Sequence, residues 1–220
     1  MYALIVDNKI VFGPRAWKYS MFVRYFVNND LDYSDFPKYA PKEPLVTDTY
    51  KLLPVNTIYP TYDPVFEQLS GPYRTIFDDR VESEYLVNPN SVSGARSKLK
   101  QQVTSDRYKV ETGGANFTFA DGTEVELYTN REDRNAYLDA LLTVPDGTTV
   151  TFKFKGEKFV TVDKTDLQNI VNTVVSHVQS AFEWEATKHA ELDAAEDTLD
   201  ALKLIDTIHP DLVETPEEPV

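Results

Sequence analysis

Asn116-Phe117-Thr118-Phe119-Ala120-Asp121-Gly122-Thr123-Glu124-Val125-Glu126-Leu127-Tyr128 largely alternates polar and apolar residues on both sides of an Asp-Gly pair. Period-two alternation puts every second side chain on one face of a strand. Asp121-Gly122 is the two-residue turn whose backbone wants positive φ. The stretch predicts a β-hairpin with Phe117, Phe119, Val125 and Leu127 on its buried face. A one-residue slip would move that whole set into water. Upstream, Val92–Val103 reads as a short helix capped by Ser93, with Ala95, Leu99 and Val103 on one side. Tyr108-Lys109-Val110-Glu111 reads as a strand ended by Gly113-Gly114. Downstream, Thr129-Asn130-Arg131-Glu132 has the form of a capping box. It opens a helix with Tyr137, Leu138, Leu141 and Leu142 inside. Asp146-Gly147 then turns the chain into Val150-Thr151-Phe152-Lys153-Phe154, and Gly156-Glu157 leads to Phe159-Val160-Thr161-Val162.

A second capping box, Thr165-Asp166-Leu167-Gln168, begins a long helix. Leu167, Ile170, Val171, Val174, Val175, Val178, Ala181 and Phe182 keep helical spacing, and the stripe resumes at Leu192, Ala195, Leu199, Leu202 and Ile205. No Gly or Pro interrupts from Glu157 to His209. Unbroken, such a helix spans about 65 Å at roughly 1.5 Å per residue. It either packs on other copies or folds back near Asp193–Thr198 as a helical hairpin.

The first half reads differently. Ala3-Leu4-Ile5-Val6 and Ile10-Val11-Phe12 form a hairpin around Asp7-Asn8-Lys9. Trp17 to Val27 is rich in aromatic and β-branched residues, which favours a strand over a short helix. From Pro37 to Pro72 prolines recur every few residues and exclude regular helix. Tyrosines are interleaved with them, which predicts an extended arm lying on its own domain or on a neighbour. The whole is an α+β chain. Its segments are 1–36 (β-rich), 37–72 (proline- and tyrosine-rich arm), 73–164 (small antiparallel sheet with helix), 165–209 (long helix or hairpin) and 210–220 (acidic tail).

Composition narrows the function. The net charge of −14 repels phosphate backbones, and no basic stripe appears. Arg96, Lys98, Lys100 and Arg107 come closest, with Asp106 and Glu111 beside them. There is no cysteine, so thiolate metal sites and a cysteine nucleophile are excluded. No apolar run reaches the roughly 20 residues of a membrane span. The N-terminus lacks the character of a secretory signal, so synthesis in a cytoplasm is expected. The histidines are dispersed: His177 and His189 stand about 18 Å apart along a helix. Glu185 and His189 are at i, i+4, a spacing that surface pairs commonly adopt without metal. No phosphate loop, dinucleotide fingerprint or nucleophile elbow occurs. No catalytic residue, cofactor or metal is therefore expected. Candidate interface residues are Tyr39, Tyr50, Tyr59 and Tyr62 on the arm, and Val174, Val178, Leu192, Leu199, Leu202 and Ile205 on the helix.

Asp121-Gly122, Asp133-Arg134-Asn135, Thr151-Phe152-Lys153-Phe154, and the run from Leu167 through Ser176-His177-Val178 to Glu185 occur in a recognisable order. Residues 107 to about 195 resemble an uncharacterised domain found in bacteriophage tail-fibre and tail-associated proteins. The resemblance brings no catalytic residues with it. It implies a non-enzymatic structural protein of a virion, in the tail, baseplate or fibre-attachment apparatus. Such a protein is assembled in the host cytoplasm and contacts other virion proteins and copies of itself. A tail-fibre assembly chaperone, or a receptor- or glycan-binding module, are the alternative roles.

Overall fold

The structure is a computed structural model and describes residues 1–212, so all but the start of the acidic segment 210–220 lies outside the described residues. The chain is mixed α+β and divides into two compact units, Met1–Asn90 and Ser91–Val220.

In the first unit, β1 (Tyr2–Val6) and β2 (Lys9–Arg15) form the expected hairpin, with Asp7 and Asn8 both at positive φ in its turn. α1 (Tyr19–Asn28) follows where a strand was favoured. The reason is tertiary. Phe22 and Phe26, one helical turn apart, are both buried and pack with Trp17, Phe36 and Tyr50. That four-residue repeat outweighs the strand preference of the individual residues. Next come β3 (Leu45–Val46), β4 (Lys51–Ile58), β5 (Glu67–Ile76) and β6 (Val81–Pro89). The sheet runs β2-β1-β4-β6-β5, with β3 also on β4. Only the β4–β6 pair is parallel.

Segment 37–72, expected as an arm, thus supplies β3, β4 and half of β5 to this sheet. Proline excludes helix there, but the extended backbone it imposes is also that of a strand. Pro54 sits where β4 hands over from β1 (Tyr2↔Pro54) to β6 (Val55↔Val81), a position that can spare a ladder N–H. Pro72 lies in the register shift between Ser70 and Tyr73. One sheet face meets α1 through Leu4 and Leu52; the other buries Ala3, Ile5, Leu53 and Val81.

The second unit begins with α2 (Val92–Gly113), capped by Ser91 rather than Ser93: the Ser91 Oγ accepts from the Gly94 N–H at 3.1 Å. This helix absorbs Tyr108–Glu111, expected as a strand. Ala95, Leu99, Val103 and Val110 form one buried helical stripe. The hairpin β7 (Ala115–Thr118) and β8 (Glu124–Leu127) turns through three residues, Ala120-Asp121-Gly122, rather than the expected two: the Phe119 N–H donates to the Thr123 carbonyl, the Gly122 N–H donates to the Phe119 carbonyl, and of the Asp-Gly pair only Gly122 has positive φ. Phe119, Val125 and Leu127 are buried and Phe117 half-buried, as the alternation requires.

α3 (Arg131–Thr143) is capped by Asn130, not Thr129, whose hydroxyl instead accepts from the Gly114 N–H at 3.0 Å. A second hairpin, β9 (Val150–Phe154) with β10 (Lys158–Val162), leads to α4 (Lys164–Ala194). Here the capping box is Asp163 with Asp166, two residues before the expected Thr165.

α4 stops at Ala194, and a short α5 (Leu199–Lys203) follows after Thr198. The break falls in the expected 193–198 window, but α5 packs on α2 rather than back along α4. Arg96 of α2 explains a stop without Gly or Pro. It donates to the Ala195 carbonyl at 3.2 Å and pairs with Asp197 at 3.5 Å, satisfying a helix end that would otherwise lack partners.

Candidate functional site

The chemically richest region of the described residues is a polar seam along the antiparallel α2–α4 pair. Helical periodicity puts Arg96, Lys100, Thr104, Arg107 and Glu111 of α2 along one flank of its apolar stripe. They meet α4 residues in reverse order. Lys100 Nζ donates to both Asp193 oxygens, at 2.6 and 2.7 Å. That hydrogen bond holds the Asp193 carboxyl below its ordinary pKa. Thr104 donates to Glu185, and Arg107 Nε donates to the other Glu185 oxygen at 3.0 Å. Arg107 also pairs with Glu111 one turn on and lies over the Phe182 ring, 4.5 Å from its centroid. Arg134 of α3 closes the network by donating to Glu111 at 3.0 Å.

The two Glu111 oxygens therefore serve two guanidinium groups, on two helices. Glu111 is 7% exposed, which such a charge tolerates only because it is doubly paired. His177 sits within hydrogen-bonding distance of the Val110 carbonyl, 2.8 Å from Nε2. A carbonyl only accepts, so this nitrogen carries the proton. His189 meets the Lys100 carbonyl at 3.3 Å. Its ring stands 4.0 Å from Glu185, whose oxygens are already engaged by Thr104 and Arg107. Among the described residues, no group of three or more His, Asp or Glu side chains is placed to hold a metal ion. No described helix is long and apolar enough to cross a membrane.

The expected interface residues divide. Tyr39, Tyr59 and Tyr62 are exposed, and Tyr59 stacks on Tyr85 at 5.0 Å. Tyr50 is buried in the aromatic core of the first unit. Val174, Leu192 and Leu202 are buried within the second unit; Val178, Leu199 and Ile205 are half-buried. α2, nearly twice as long as the helix expected over 92–103, packs along α4 and covers these side chains within the chain. The large apolar side chains that α4 leaves in solvent are Val175 and Phe182, 60% and 44% exposed.

Lys100 and Arg107 are engaged by α4 carboxylates, and Arg96 by Ala195 and Asp197 just beyond the end of α4. Glu111 and Arg134 went unrecognised as a pair. The i, i+4 spacing of Arg107 and Glu111 was visible in the sequence, but Arg134 lies 23 positions from Glu111 and no periodicity links them.

A family model described as Domain of unknown function (DUF4376) matches residues 94–208, more than half of the chain, and the chain belongs to that family. A search of curated proteins and a search of solved structures each returned no match.

Proposed function

We propose that this DUF4376 protein is a non-enzymatic structural component of a bacteriophage virion, in the tail, baseplate or fibre-attachment apparatus. It acts by burying surface against other virion proteins and against copies of itself. The observation that carries the proposal is the fate of the residues behind the tail-protein resemblance. Arg134, His177 and Glu185 all turn inward onto α2, at Glu111, Val110 and Arg107. Residues used this way hold a frame rigid, and a frame suits a part whose task is to keep contact surfaces in place. The first unit supplies such surface: Tyr39, Tyr59, Tyr73, Leu86 and Val87 lie exposed. Aromatic side chains are enriched at protein interfaces relative to the rest of the surface.

The test is quantitative mass spectrometry of purified phage particles. The expected result is the chain present at a copy number related to tail or baseplate symmetry. Presence in infected cells with absence from particles would overturn the proposal in favour of an assembly chaperone.

A further inference from the structure

In the unit Met1–Asn90, α1 covers its face of the sheet at one end, over Leu4 and Leu52. Further along β4 the same face follows from the register. Asn56 stands beside Glu82, and Glu82 beside Thr75. Two residues on, Ile58 stands beside Glu84, and Glu84 beside Tyr73. Leu86 comes next on this face of β6, opposite Ser70. Directly paired residues share a face, and so do residues two apart along a strand. The row Asn56–Glu82–Thr75 is polar, as a solvated sheet face should be. The next row is not. Ile58, Tyr73 and Leu86 are 43%, 55% and 47% exposed, and the exposed Glu84 lies among them. The spacing of strands and of residues along them puts each of the three within roughly 5–7 Å of Glu84 along the backbone.

Among the described residues, none forms an ion pair or a side-chain hydrogen bond with the Glu84 carboxylate. The cations on or beside these strands are engaged elsewhere. Arg80 is held by Asp79 and Glu82, and Lys51 by Asp78. Arg74 is paired with Ser83 and so stands on the opposite face.

The chemistry of this patch selects its occupant. A wholly apolar surface would bury Glu84 without a counter-charge, which is strongly unfavourable. A second copy docked about a twofold axis through the patch would set Glu84 against Glu84. Strand addition at the edge is blocked, because Pro72 lacks a ladder N–H and the register shifts between Ser70 and Tyr73. A partner on the face must therefore bring apolar surface and a cation together. Arginine is the cation that fits, because its planar group pairs with a carboxylate and stacks on an aromatic ring at once. Glu84 and Tyr73, neighbours in one row, offer those two contacts.

We propose that the β4–β6–β5 face around Glu84 docks another protein through an arginine of that protein. The arginine pairs with Glu84 and lies over Tyr73, while Ile58 and Leu86 meet apolar side chains around it. The inference rests on the reading that the chain works by burying surface against other virion proteins, and it names the surface and the chemistry met there.

The test is photocrosslinking in the phage-infected host. The probe is p-benzoylphenylalanine in place of Leu86 in the full chain, with mass spectrometry of the adducts. Glu84→Gln alters an exposed, unpaired residue and leaves the sheet folded, which circular dichroism checks. The expected result is an adduct with a different protein, at a segment that carries an arginine. Glu84→Gln should reduce its yield about tenfold, as loss of a charge-assisted hydrogen bond predicts. Adducts only with other copies of the chain, a yield unchanged by Glu84→Gln, or no adduct would each overturn the inference. The two readings fail separately. The expected adduct from a chain absent from purified particles defeats the virion reading alone, and a chain present in particles without the adduct defeats this inference alone.

Discussion

Glu111 links two helices, because a guanidinium group of α2 and one of α3 meet on its carboxylate. Removing Glu111 takes a carboxylate from Arg134 and leaves Arg107 with Glu185 alone, and breaking a buried ion pair costs up to about 3–5 kcal/mol. Glu111→Ala should therefore lower stability by that order in urea unfolding. An effect within about 0.5 kcal/mol, usual for exposed sites, would show the pair to be solvated. Tyr137 offers a test by pH. The residue is 3% exposed, and burial pushes its phenol up to about 12 against an ordinary value of 10.0, despite an opposing backbone hydrogen bond at Tyr128. A folded pKa raised above the unfolded one means a stabilising term complete below pH 10 and lost as pH rises towards 12. Ultraviolet titration of the folded chain should thus show a late-ionising phenol that Tyr137→Phe removes.

At the scale of elements, the helix starts can be told apart by substitution. Asp163 accepts from the Asp166 N–H at 2.8 Å, whereas Thr165 lies inside the first turn of α4 and is exposed. Asp163→Ala should cost about 1 kcal/mol and Thr165→Ala only a few tenths. The reverse order in thermal melts would restore the capping box read at Thr165. The short α5 depends on tertiary contact, since five residues are far too few for a stable isolated helix. Leu202 is fully buried where α5 meets the second unit's core. Leu202→Ala should destabilise by about 2–5 kcal/mol, or release α5 alone, without altering the sedimentation coefficient expected for the wild-type assembly state. Hydrogen exchange at the N-terminal turns of α2 reads the release directly. Dissociation of an oligomer by Leu202→Ala, with the chain still folded, would return Leu202 to an interface between chains.

At the scale of the whole molecule, the division at Asn90–Ser91 separates chains of contacts that are each complete. The first unit owns the aromatic cluster around Phe22, Phe26 and Phe36; the second owns the cluster from Phe119 to Val174. Segments with their own apolar core can fold alone. A fragment beginning at Asn90 retains the Ser91 cap of α2 and should show a cooperative melt and helical circular dichroism. A fragment that unfolds without cooperativity would mean that residues 1–90 are needed for its stability.

The elements legible in the sequence were those whose pattern is local. The hairpin at Asp121-Gly122 was readable because alternation and turn chemistry agree within a dozen residues. The later hairpin and the body of α4 were readable for the same reason. The exclusion of helix by proline between residues 37 and 72 also held, because a ring that removes an N–H acts wherever the chain goes. What the sequence left open depends on distant neighbours. Tyr108–Glu111 alternates well enough for a strand, and only the long face of α4 makes it helical. The aromatic run after Trp17 becomes α1 because Phe36 and Tyr50 arrive to enclose Phe22 and Phe26. The seam was hidden most deeply: Arg107 stands 78 residues from Glu185, and Arg96 stands 99 from Ala195. Local periodicity records which side of an element is apolar. Which element will cover that side, and which charge will meet which, is decided only when the chain closes on itself.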